Sequence, residues 1–172
     1  MTPLPTTPDT LLAHERRLRV LVAAAILLFV AQAAVGFLLP RARLLPGLSS
    51  IWITGPALAV GLWLSLRVDR VAARLVIRAR DRYVISGNVD RLLRDHLRVY
   101  LTVLAVLEGI GLLGLLVAVS GAGPRAALWF HGVAVLLAAL AWPTDHKVRL
   151  YLDRAETLRR HRTDAGAAES AD

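Results

Sequence analysis

The chain has 172 residues, 56% of them hydrophobic, yet it carries a formal charge of +8, with a mean hydropathy of +0.54. Apolar bulk and basic charge are therefore segregated along the sequence, as in a multi-span membrane protein with basic flanks, which argues against a soluble domain or a nucleic-acid binder. No cysteine is present, which excludes disulfides, thiolate metal sites and cysteine nucleophiles.

Residues 1–10 are rich in Pro and Thr and read as a disordered lead-in. Asp9 or Thr10 can cap a first helix, whose opening turns carry Arg16, Arg17 and Arg19. A first span follows at about 18–39 and stops at Pro40. Its Ala31-Gln32-Ala33 resembles a signal-peptide cleavage site, but the apolar run continues to full spanning length, which favours a retained helix. After a short loop with Pro46 and Gly47, a second span covers about 49–66. Gly55-Pro56 inside it predicts a kink or a gap in the hydrogen-bond ladder.

Residues 67–98 are polar but helical in pattern. Arg67, Arg70, Arg74 and Arg78 share one stripe, and Val68, Val71, Leu75 and Ala79 another. Ser86-Gly87-Asn88 interrupts the pattern, after which Asp90/Arg94 and Arg91/Asp95 are spaced as i,i+4 ion pairs. The segment thus reads as two helical extensions meeting at a tight turn. A third span is predicted at about 99–120, a turn at Ser120-Gly121-Ala122-Gly123-Pro124, and a fourth span at about 126–142, ending at Trp142-Pro143. Val148, Tyr151, Leu152, Ala155 and Leu158 then give 144–162 an amphipathic spacing, and 165–172 form a disordered tail. The expected fold class is all-α: a polytopic membrane protein of four transmembrane helices with a helical hairpin extension and a C-terminal amphipathic helix.

Orientation follows from Arg and Lys. The N-terminal flank has three, 67–98 has nine and the C-terminal segment has six, whereas the opposite loops hold only Arg41, Arg43 and Arg125. Both termini and the hairpin are expected in the cytoplasm, with the chain in the cell inner (plasma) membrane. The two halves also share features. Leu18-Arg19-Val20 corresponds to Leu97-Arg98-Val99, and Trp52-Ile53-Thr54-Gly55-Pro56-Ala57 to Trp129-Phe130-His131-Gly132-Val133-Ala134. This reads equally as a duplicated hairpin or as apolar sequence matching itself.

Glu108 lies at the centre of the third span, where an unpaired carboxylate costs several kcal/mol. Gln32 and His131 fall roughly one turn further out, and Thr54 and Thr102 are near enough in depth to join them. Such a group could hold a proton, with desolvation favouring the neutral acid. The preferred alternative is a neutral Glu108 that hydrogen-bonds within the bundle and fixes helix packing, because no relay of further acids can be traced. Gly109, Gly111 and Gly114 supply small residues for close helix approach, either within the second hairpin or at an oligomer interface. Trp52, Trp63, Trp129 and Trp142 lie toward span ends and read as interfacial anchors. The basic hairpin could attract anionic lipid headgroups at about 1 kcal/mol per charge or dock a soluble partner, and the preferred reading is a topology signal on solvated helices.

No phosphate-cradling glycine loop, zinc-binding helix or nucleophile elbow is present, and Asp145-His146 alone are too few for a metal. The sequence therefore predicts neither an enzyme nor a cofactor or metal site.

Arg98, Leu107-Glu108-Gly109, Leu113-Gly114, Ser120-Gly121 and Pro143-Thr144-Asp145-His146-Lys147-Val148 together resemble small four-helix bacterial membrane proteins of unassigned function. The resemblance implies a helical membrane protein and carries no activity. More loosely, Glu108 beside glycine-rich helix is similar to the ion-carrying acid of the proteolipid ring subunits of rotary ATPases. The charge count places the termini on the other side from theirs, Glu108 stands on the first helix of its hairpin, and the polar Arg-Gln-Pro type loop is missing. The expected function is a non-enzymatic accessory or self-associating helical bundle, with the lipid bilayer and a homo-oligomer or membrane complex as partners. Proton or cation handling through Glu108 is the alternative.

Overall fold

The computed structural model describes residues 8–38, 51–122 and 124–169. Among them the protein is almost entirely helical, without strands: α1 (Pro8–Leu38), α2 (Ile51–Ser86), α3 (Val89–Val117), a π-helical turn (Ala118–Ala122), α4 (Pro124–Leu140) and α5 (Asp145–Glu169). The loop expected after the first span, with Pro40, Pro46 and Gly47, lies outside the described residues.

The helix ends follow local chemistry. α1 opens at Pro8, inside the stretch expected to be disordered, because proline's fixed φ and missing N–H suit a first helical turn. α2 continues as one helix through Gly55-Pro56, where proline's missing N–H leaves a gap in the ladder. Pro56 stands in the second turn, so the only carbonyl it deprives of an N–H partner belongs to Trp52 at the helix start. α2 ends where Gly87 takes φ 62° and its N–H reaches the Tyr83 carbonyl at 2.8 Å, a left-handed cap that favours glycine. Asn88 then caps α3 by accepting the Arg91 N–H at 2.9 Å. Thr144 does the same for α5, accepting the Lys147 N–H at 3.3 Å. α5 continues to Glu169, through part of the expected tail.

The chain divides into two compact units, and α1, α2 and α3 each supply residues to both. Unit 1 comprises Met1–Arg19, Ala72–Tyr100 and Pro143–Asp172. Its core joins four helices: Leu18, Tyr83, Leu92, Leu93, Val148, Tyr151, Leu152 and Ala155. The arginines of the predicted basic stripe, including Arg74 and Arg78, are exposed, while Ala79 is buried. Asp95 does not use Arg91, as its spacing suggested. It is buried and pairs with Arg82 at 3.4 Å and Arg98 at 3.2 Å.

Unit 2 comprises Val20–Val71 and Leu101–Trp142. Val22, Phe29, Leu107, Ile110, Val117, Phe130 and Ala138 fill its interior. Its outer surface is equally apolar, with Leu27, Val30, Leu62, Leu112, Leu136 and three tryptophans (Trp52, Trp63, Trp129) exposed. Helices apolar on every side suit a hydrocarbon surround.

Two helical stretches, Asp9–Leu38 and Val89–Ser120, are long and apolar enough to cross a membrane, and a third is reached if α4 and α5 are taken together across their break. Length and apolarity therefore support two or three crossings, fewer than the four expected. The shortfall has plain causes. Half of α2 is the arginine-bearing extension, and α4 alone has 17 residues.

Candidate functional site

Within unit 2, α1 and α3 meet through their polar side chains. Gln32 continues the buried stripe of α1 that begins at Leu18, Val22 and Phe29, so its amide is carried inward. Its Nε2 donates to Glu108 Oε1 on α3, and Glu108 itself is only partly buried. Gln32 Oε1 is buried without a partner.

The glycines of α3 make room for these groups. A Cβ on Gly111 would stand 2.5 Å from Gln32 Oε1. A Cβ on Gly114 would stand 2.6 Å from His131 Cε1 and 2.9 Å from Phe130 Cβ, so α4 lies against α3 at this turn. Gly109 differs from its two neighbours. Among the described residues nothing lies within 4 Å of its Cβ position, so none of the described helices packs over it. The residues 109, 111 and 114 are spaced at two and three, and 109 falls on the far side of the helix from the other two.

His131 is buried, at 3% exposure, whereas Trp129 on the same helix is exposed. Its Nδ1 lies 3.0 Å from the Ala127 carbonyl and must carry the proton to donate there, which leaves Nε2 as an acceptor. That nitrogen is buried and unpartnered, so His131 is hydrogen-bonded to neither Gln32 nor Glu108. Thr54 Oγ1 is likewise buried without a partner and does not join them. The structure thus brings Glu108 and Gln32 into direct contact, and leaves two buried acceptors, Gln32 Oε1 and His131 Nε2, beside the glycine face of α3. Buried polar atoms are rarely left so, and each asks for a donor.

Unit 1 holds a second polar cluster that the sequence reading missed. His14 Nε2 and His96 Nδ1 lie 3.1 Å apart, and both rings are buried. The His96 ring stacks on Tyr151 with centroids 4.1 Å apart and stands perpendicular to the Tyr100 ring with centroids 5.2 Å apart. The Arg80 guanidinium lies 5.3 Å from the Tyr151 ring centre. Burial, reinforced by His14 and Arg80, holds the His96 pKa down at about 3, and burial with Arg17 lowers that of His14. Burial pushes the Tyr151 hydroxyl up to about 12. The signal for this cluster was present. His14 lies one turn before Leu18 on the inward stripe of α1, and His96 lies between Leu92 and Val99 on that of α3. A third polar contact closes the unit, where the Tyr83 hydroxyl donates to Glu156 Oε2 at 2.7 Å.

No three His, Asp or Glu side chains converge on a metal position among the described residues. Comparison with protein-family models, with curated proteins and with solved structures gives no significant match.

Proposed function

We propose that the chain is a four-span inner-membrane protein that acts by associating with further copies of itself, with the face of α3 around Glu108 and Gly109 as the contact. One observation carries this reading. Glu108 is only partly buried by its own chain, and next to it α3 exposes Leu101, Ala105, Leu112 and Leu116 with open space over Gly109. A carboxyl group left bordering hydrocarbon costs several kcal/mol, and a neighbouring helix laid over Ala105 and Gly109 would remove that exposure. The spacing Ala105-x-x-x-Gly109 suits such an approach.

The arginine distribution supports cytoplasmic termini and a cytoplasmic 67–98 hairpin, whose exposed Arg67, Arg70, Arg74 and Arg78 suit anionic headgroups. Reporter fusions at residue 87 and at the C-terminus should give the same cytoplasmic signal. Native mass spectrometry from lipid nanodiscs should give dimers or larger assemblies for the unsubstituted chain and mainly monomer for Gly109→Leu. A strictly monomeric unsubstituted chain overturns the reading.

A second reading rests on a separate observation. Gln32 Oε1, on the amide bonded to Glu108, is buried and unpartnered and could accept from a water or a protonated group, which favours proton handling at this site. Vesicles carrying a pH-sensitive dye should then show flux that Glu108→Gln abolishes. Equal leak for both proteins leaves Glu108 a packing role only.

A further inference from the structure

The geometry points to the His14–His96 contact as an acid-operated latch, which holds the first turns of α1 against α3 and α5 in unit 1 and releases them when both rings take up protons. The 3.1 Å contact works only while one ring nitrogen donates and the other accepts. Burial, with Arg17 beside His14 and Arg80 near His96, already disfavours a first proton on the closed contact. With a second proton every ring nitrogen is a donor, and two like charges face each other at hydrogen-bond distance with almost no water to screen them.

The surroundings offer the charged pair nothing. On α1, Arg17 adds positive charge, and Glu15 is engaged by Arg19. On α2, Arg80 lies near enough to lower the His96 pKa, and Arg82 is turned to Asp95. On α3, Asp95 is held by Arg82 and Arg98, and the Tyr100 ring stands perpendicular to that of His96. On α5, Tyr151 covers the face of His96. Every carboxylate flanking the pair is thus already committed to an arginine, and the closest uncommitted charges are cationic.

A released α1 end returns both imidazoles to water and to their ordinary pKa near 6.5. Each proton taken up on release then raises the open-to-closed ratio about tenfold per pH unit, and two raise it about a hundredfold.

The test uses the full-length chain in lipid nanodiscs, which is simplified because no native cysteine competes for labels. Spin labels on Leu12→Cys in α1 and Asp153→Cys in α5, both at exposed positions, report the separation of the two helices. Between pH 7 and 4 the distance distribution should move to longer values, with a steepness above one proton. Adding His96→Phe, which keeps a ring against Tyr151 but cannot be charged, should remove the shift. Hydrogen exchange of the unsubstituted chain provides the parallel measurement. Protection of residues 11–17, corrected for intrinsic rate, should fall over the same pH range. A distance and a protection factor that stay constant down to pH 4 overturn the latch. So does an unchanged shift in the His96→Phe protein, which would assign it to carboxylates.

Discussion

Gly109 and Gly114 stand on the same helix, yet alanine at the two positions should have opposite effects. In both cases the helix gains about 1 kcal/mol from the better propensity of alanine. At Gly109 nothing lies within 4 Å of the new methyl, so that gain survives. At Gly114 the methyl would stand 2.8 Å from His131 Nδ1 and 2.9 Å from Phe130 Cβ. The ring can tilt, but Phe130 Cβ is fixed to the α4 backbone, so the helix itself has to move. Overpacking of this kind costs typically about 1–3 kcal/mol, which leaves Gly114→Ala destabilised by roughly 1 kcal/mol after the propensity gain. The gap between the two variants is therefore about 2 kcal/mol, close to thirtyfold in the folded-to-unfolded ratio. Reversible unfolding in mixed detergent, at protein concentrations low enough for monomer, measures it directly. Propensity cancels in the comparison, so equal stability of the two alanine variants would refute the close approach of α4 to α3.

Acid should weaken the fold through His96. Its proton binds near pH 3 in the folded chain and near 6.5 in an unfolded one, so stability is complete above pH 6.5 and declines as pH falls toward 3. The loss is about 1.4 kcal/mol per pH unit, and His96→Phe should flatten that slope in denaturant titrations run between pH 6.5 and 4.5. Tyr83→Phe removes the hydrogen bond to Glu156 and should cost about 1 kcal/mol in the same unfolding assay. Gly87→Ala forces a β-carbon into the left-handed region at φ 62°, a cost of about 1–2 kcal/mol. The flexible Arg159 guanidinium 3.0 Å away can yield, so the penalty should persist in Gly87→Ala combined with Arg159→Ala.

Much of the helical plan was legible, because the features that set it are local. The Ser86-Gly87-Asn88 break in the arginine pattern marked the α2–α3 turn, since a left-handed glycine followed by an Asn cap is short-range chemistry. The pairing of Asp95 was misread because i,i+4 spacing reports only neighbours on one helix, whereas Arg82 reaches it from α2. Depth estimates put Gln32 and His131 each about one turn from Glu108, but they could not tell which way His131 faces around α4, and its ring bonds its own helix instead. Glycines at 109, 111 and 114 look alike as composition. Only helical phase, read against neighbouring side chains, separates the open one from the two that are packed over. The inward stripes of α1 and α3 each mark one ring of the His14–His96 contact as buried, but the two stand 82 positions apart and neither stripe says that they meet.

Only Gly87 and Asn88 lie between α2 and α3, and Tyr83 and Leu92 on either side of them share one core. Contacts so near in sequence close with little loop entropy and form early. During synthesis this pair can zip together once residue 100 has cleared the ribosome, before α4 or α5 has emerged. The nascent hairpin would then offer a preformed seat on which Val148, Leu152 and Ala155 of α5 dock last. Chains truncated at residue 143 should therefore keep this turn while lacking the cover that finishes the unit.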